Sequence, residues 1–148
     1  MILLDTNLLT RMTRSHDPQS GVARGAIQTL SGRGERLIVV PQNLYEFWAV
    51  ATRSPGAPPT GCNGLGMTPA QAAHWLRFFQ RRFTLLTDRE ELSGLWQALV
   101  EAHGVTGFRA HDVRLVAAMQ SYAITRLLTF NIAHFRGLPV TIVDPRSP

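Results

Sequence analysis

The chain contains no lysine: all 15 of its basic residues are arginine. It has one cysteine, Cys62, so no internal disulfide can form, which fits a reducing compartment. No apolar run approaches the roughly 18–20 residues that a membrane span needs, so no membrane association is expected. The opening Met1-Ile-Leu-Leu-Asp5 meets a charge at once and has no basic segment before it, so no signal peptide is expected either and a cytoplasmic protein is. Acids are scarce, ten in 148 residues, and the net charge is +5. Arginine offers a planar fork that matches phosphate, so an arginine-only basic chain points toward a nucleic-acid partner. The 45% hydrophobic content excludes wholesale disorder, and the length suits a single domain over residues 1–148.

Short apolar runs alternate with helical segments. Residues 2–4 read as a buried strand, followed by a helix capped by Thr6 or Asn7. Asp17-Pro18 opens a helix toward Thr29, with Pro18 at the first helical position. Residues 37–40 form a second strand, which Pro41 ends, and Asn43 begins the next helix through Ala51. Residues 54–67, rich in Pro and Gly, form a loop; Asn63-Gly64-Leu65-Gly66 follows no strand and is not a phosphate loop. Thr68-Pro69-Ala70-Gln71 is a capping box for a helix to about Arg81. Residues 83–86 are a third strand, and Thr87 to Glu90 reads as a second capping box opening a helix to His103. Asp112 begins a helix to Tyr122; residues 126–129 and 140–143 are the last two strands. Continuous apolar strands alternating with helices predict an α/β fold: a small, mainly parallel sheet of about five strands flanked by helices on both faces.

Most of the ten acids have ordinary roles. Asp17, Asp88, Glu90 and Glu91 sit at expected helix starts, where negative charge suits the dipole. Three do not fit this pattern. Asp5 directly follows an apolar strand. Glu46 lies on a helix that is apolar nearly all round, beside Leu44, Phe47 and Val50. Asp112 shares a helix face with Leu115, Val116 and Met119, a face that should point inward. An ionised acid aimed at a core is costly unless it is paired or binds a metal. Taken singly, each could be a cap or meet an arginine.

Topology brings them together. In an open parallel sheet, ligands bind beyond the carboxyl ends of the strands. Asp5 lies beyond strand one and Glu46 one helical turn beyond strand two. Thr129 to Asn131 lie at the end of strand four with His134 following, and Asp112 comes from the helix leading into that strand. Carboxylates about 4 Å apart repel by roughly 4 kcal/mol at an effective dielectric near 20, so a cluster of three needs compensation. An oxygen-only ligand set suits Mg²⁺, with Mn²⁺ as substitute. Zinc is disfavoured, because Cys62 is alone and the five histidines show no paired spacing. Trp75, Phe78 and Phe79 fall at helical spacing and read as core or subunit interface rather than as base-stacking groups.

Four segments carry a resemblance: Ile-Leu-Leu-Asp5-Thr-Asn7, Asn43-Leu-Tyr-Glu46, the helix from His111-Asp112 to Ala118, and Leu-Leu-Thr129-Phe-Asn131-Ile-Ala-His-Phe135. In this order they resemble a PIN domain and, more narrowly, the VapC-type toxins of bacterial toxin–antitoxin pairs, across essentially the whole chain. The resemblance implies a metal-dependent endoribonuclease with a small antitoxin as partner, and a homodimer. It implies Asp5, Glu46 and Asp112 as the acidic core holding Mg²⁺ or Mn²⁺. The fourth family position falls at Asn131, where an acid is frequent in relatives, so a second metal is expected to be weaker here. Asp5 and Asp112 are expected to hold the ion, and Glu46 to orient the attacking water or hold a second ion. Thr129 and His134 would support them, and Arg11, Arg14 and Arg109 would grip the RNA backbone. The alternatives are another Mg-dependent phosphohydrolase and a catalytically decayed RNA-binding protein. Acyl-phosphate chemistry wants an acid two residues after Asp5, where this chain has Asn7.

Overall fold

The structure, a computed structural model, describes residues 1–56 and 64–148; Cys62 and Asn63 lie outside the described residues. Five short strands, β1 (Ile2–Leu4), β2 (Leu37–Val39), β3 (Thr84–Leu85), β4 (Arg126–Leu128) and β5 (Thr141–Val143), form one sheet in the order β3-β2-β1-β4-β5, every pairing parallel. Successive strands therefore run outward from β1 to β3, after which the chain returns to the other side of β1. The order reverses between β1 and β4, where Leu4 pairs with Leu128.

Alternation along the strands divides the core between the two faces. Ile2, Leu4, Val39 and Leu128 face α1 (Thr6–Met12), α2 (Pro18–Gly32), α3 (Pro41–Thr52) and α4 (Pro69–Arg82). Leu3, Ile38 and Leu127 face α5 (Leu92–Ala102) and α6 (Arg109–Ser121). The first core is anchored by Phe47 and Phe79, both fully buried and packed edge to face at 4.9 Å. Trp75 and Phe78 pack partly buried against it. Helices thus cover both faces, as the apolar, non-alternating strand sequences require. Among the described residues, no helix is long and apolar enough to cross a membrane.

Several helix starts differ from the sequence expectation, each for a local reason. The cap of α1 is Asp5 rather than Thr6 or Asn7; its carboxylate accepts from the Asn7 amide. Helix α3 begins at Pro41 instead of after it, because proline is well placed at a first helical position and the Asn43 side chain accepts from the Val40 N–H at 2.8 Å. Helix α6 begins at Arg109, three residues before Asp112, which sits in its first turn. The capping box expected at Thr87 does not form. Asp88 instead pairs with Arg114 at 2.6 Å, the Thr87 carbonyl accepts from the Tyr122 hydroxyl, and α5 starts at Leu92. A 3₁₀ turn at Ile132–Phe135, after β4, was not read from the sequence.

Candidate active site at the switch point of the sheet

A cleft of about 690 Å³ opens at the carboxyl edge of the sheet, and Asp5, Glu46, Asp112 and Asn131 all line it. Asp5 is placed by the end of β1, where its N–H donates to the Leu128 carbonyl of β4 at 3.0 Å. Its side chain is only 6% exposed and is held by neutral donors: the Thr129 hydroxyl at 2.6 Å and the Asn7 amide nitrogen at 2.7 Å. Asn7 also donates to Thr129 and accepts from the Phe130 N–H, and the Asn131 N–H donates to the Thr129 hydroxyl. The start of α1 and the segment after β4 are thereby tied into one unit across the switch point.

Burial pushes the Asp5 carboxyl up from 3.8 to about 6; the Thr129 and Asn7 hydrogen bonds oppose the rise, and the charges of Asp112 and Glu46 add to it. Asp112 is also raised, chiefly by burial, against the opposing effect of His134, whose Nδ1 lies 3.2 Å from its carboxylate. Glu46 stands on α3 and, like Asp5, takes neutral donors: Thr6 Oγ1 at 2.6 Å and Gln42 Nε2 at 2.7 Å. Three acids thus share a cleft, and among the described residues two of them, Asp5 and Glu46, are held by hydroxyl and amide groups, which leave their charge uncompensated.

Not all the expected residues meet here. Thr129 is fully buried behind Asp5, and His134 lines the cleft. Arg11 and Arg14 both lie near Asp17, at 4.0 and 3.8 Å, and do not line it; Arg11 also lies over the Phe130 ring. Arg109 reaches the His134 carbonyl at 3.1 Å, beside Asp112 but outside the lining. The cleft holds Arg53 and Phe108 instead. Gly66 N–H bonds the Arg53 carbonyl at 2.9 Å, and a side chain at Gly64 would strike that carbonyl, so the segment after the undescribed residues lies close against the end of α3. Gln42 carried no expectation in the sequence, and Asn7 and Asn43 stood there as helix starts and motif residues without a site role; here the Asn7 and Gln42 amides donate to Asp5 and Glu46, and Asn43 acts on Glu46 through Thr6. Their signal was weak, a polar residue within two to four positions of an acid.

The residues suit a hard divalent cation by chemistry, since every acid and Asn131 offers oxygen. Among the described residues no three His, Cys, Asp or Glu side chains close into a ready ligand set.

No family model matches the sequence, and no curated protein matches it. Solved structures do. VapBC2 from Rickettsia felis, bound to a promoter DNA fragment, is similar over 97% of this chain and 98% of its own, with 15% identity and a TM-score of 0.70. DNA-bound VapBC from Salmonella typhimurium is similar over 98% and 99%, with 18% identity and a TM-score of 0.68. VapC20 from Mycobacterium tuberculosis, a sarcin-ricin loop cleaving toxin, is similar over 95% and 97%, with 16% identity and a TM-score of 0.66. The chain therefore has the α/β PIN-like fold of the VapC-type toxins, along nearly its whole length.

Proposed function

We propose that the chain is a Mg²⁺- or Mn²⁺-dependent endoribonuclease that serves as the toxin of a toxin–antitoxin pair. One observation carries the proposal: Asp5, Glu46 and Asp112 line a single cleft at the sheet's switch point, with Asp5 and Glu46 held by uncharged donors. Such a cluster is tolerable when a cation completes it. The fold shared with a sarcin-ricin loop cleaving toxin supports the same reading.

In this reading Asp5 and Asp112 hold the ion directly or through water, and Asn131 offers a weaker fourth oxygen. A bound divalent cation supplies an activated water and neutralises charge on the phosphate. Thr129 and Asn7 keep the Asp5 carboxylate aimed into the cleft, and Glu46 orients the attacking water toward the phosphorus. Arg53, and Arg109 at the margin, attract the RNA backbone. Phe108, 85% exposed at the cleft and just before α6, presents a ring face to a base of a single strand. A small antitoxin that covers the cleft is the proposed protein partner, in keeping with the VapBC complexes of the same fold. A second copy of the chain, meeting the partly buried Trp75 and Phe78, is proposed as the other.

Purified protein should cut RNA with Mg²⁺ or Mn²⁺ and stop with EDTA. Asp5→Ala and Asp112→Ala, verified as folded, should not cut; wild-type rates in either would sink the assignment. Asn131 is the one feature favouring a decayed, RNA-binding protein. Calorimetric titration separates the two readings, because a decayed site would take up no divalent ion even at millimolar concentration.

A further inference from the structure

Gln42 lies one helical turn before Glu46 on α3 and is 5% exposed. Its Oε1 accepts from Arg114 Nη1 at 2.9 Å, and its Nε2 donates to Glu46 Oε1 at 2.7 Å and to the His111 carbonyl, in the first turn of α6, at 2.8 Å. Arginine can only donate, so it is the Gln42 oxygen that must face Arg114. The amide nitrogen is thereby directed at Glu46. Arg114 is itself held from the far side by Asp88, at 2.6 Å.

The second Glu46 oxygen is reached by a chain of the same logic. The Val40 N–H donates to Asn43 Oδ1, so Asn43 Nδ2 faces the Leu4 carbonyl and Thr6 Oγ1, at 3.1 and 3.2 Å. The Thr6 hydroxyl, already accepting from Asn43, gives its proton to Glu46 Oε2 at 2.6 Å. Each carboxylate oxygen thus receives a donor whose direction is set by a group that can only donate.

We propose that Gln42 is a positioning residue for Glu46: its amide, oriented by Arg114 and Asp88, fixes both the direction of the Glu46 carboxylate and its distance from the α6 turn that carries Asp112. This rests on the nuclease reading given above. A glutamate has several rotatable bonds and, released, samples orientations that do not serve the reaction. Groups that orient a working carboxylate typically matter by about 10- to 100-fold. A buried glutamine that merely joined α3 to α6 would instead affect stability and leave the Glu46 geometry to itself.

The test uses Gln42→Met, Glu46→Ala and the double variant on the full chain, with initial rates of RNA cleavage in Mn²⁺. Gln42→Met should lower kcat about 10- to 100-fold with KM for RNA little changed, and the double variant should cut no slower than Glu46→Ala alone. Arg114→Met should move kcat the same way, with Arg114→Lys recovering part of the loss; Arg114 is more exposed, so this pair serves if Gln42→Met does not fold. In metal-free ¹⁵N spectra, the Gln42 side-chain amide signals should shift in Glu46→Ala. Wild-type kcat in both Gln42→Met and Arg114→Met, full additivity with Glu46→Ala, or an unmoved amide signal each overturns the proposal. A wild-type protein that cuts no RNA overturns the nuclease reading, and the positioning role with it.

Discussion

The Thr129 hydroxyl donates to Asp5 Oδ2 at 2.6 Å, across the junction of β1 and β4 where the strand order reverses. One hydroxyl therefore joins two segments 124 residues apart at the point where an open parallel sheet binds ligands. The same oxygen accepts from the Asn7 amide and from the Asn131 N–H. Thr129→Val, close in shape, removes all three bonds. Cleavage should fall about 10- to 100-fold, and stability by roughly 1–3 kcal/mol, as for a buried polar group left unpaired. Thr129→Ser should keep most of both. Initial rates and denaturant melts measure them; a valine variant with wild-type activity would remove Thr129 from the site.

Asp5 should cost the free protein stability at neutral pH. Its folded-state carboxyl sits at about 6 against 3.8 unfolded, so between these values the folded protein holds the extra proton. Stability from this group is then fully present below 3.8 and is lost as pH rises through about 6. The difference corresponds to roughly 3 kcal/mol. Asp5→Asn removes the titration and keeps the side chain's size; its one oxygen can still accept from Thr129 and from the Asn7 amide nitrogen, and the longer 3.4 Å bond from the Asn7 N–H is the one given up. This variant should therefore melt higher than wild type at pH 7.5 in EDTA, with the advantage fading toward pH 4, although it should not cut RNA. A lower melting temperature at pH 7.5 would mean that burial is not what raises Asp5.

Divalent binding should compete with that proton. Below about pH 6 the affinity for Mn²⁺ should drop by about tenfold per pH unit, because each ion bound must displace a proton from Asp5. Asp112, raised in the same direction, should steepen the loss. Calorimetry in buffers of differing ionisation enthalpy reports both affinity and protons released; pH-independent affinity would place the ion away from Asp5.

Asn131→Asp should strengthen whatever the fourth position holds. An added carboxylate at the cleft would tighten Mn²⁺ binding by about tenfold or more, since hard cations favour charged oxygen ligands. Unchanged binding, read by the same titration, would show that residue 131 lies outside the ion's reach.

Phe108 contributes little to the fold, being exposed, so Phe108→Ala should alter stability by less than about 0.5 kcal/mol. A base stacked on its ring is worth about 1–3 kcal/mol, so KM for single-stranded RNA should rise roughly tenfold while Phe108→Trp binds at least as well. Equal KM values for the alanine and tryptophan variants would remove the stacking role.

Much of the fold was legible because burial on both faces of a parallel sheet leaves a plain mark: uninterrupted apolar runs such as Ile2 to Leu4 and Leu37 to Val40. Boundaries were less legible where two local options compete. Thr87 to Glu90 has the letters of a capping box, yet Asp88 is taken by Arg114 and the Thr87 carbonyl by Tyr122. Pro41 reads as a strand stop, and it is also the first residue of α3, because its fixed φ suits that position. The arginines were least legible. An isolated Arg carries no sign of its partner, and Arg11 and Arg14 lie beside Asp17 while Arg53 reaches the cleft.

By itself the sequence determined the strand-and-helix alternation, the cap at Asp17 and the capping box at Thr68, and three acids too apolar in their surroundings to be ordinary surface charges. These are properties of neighbours within a few residues, set by periodicity and desolvation. Only the tertiary structure decided that β4 lies against β1, which sets Thr129 and Asn131 beside Asp5. It also turned the Gln42 and Asn43 amides toward Glu46 and Thr6. Long-range pairing and the direction of a hydrogen bond depend on what the chain places opposite, and no local pattern records that.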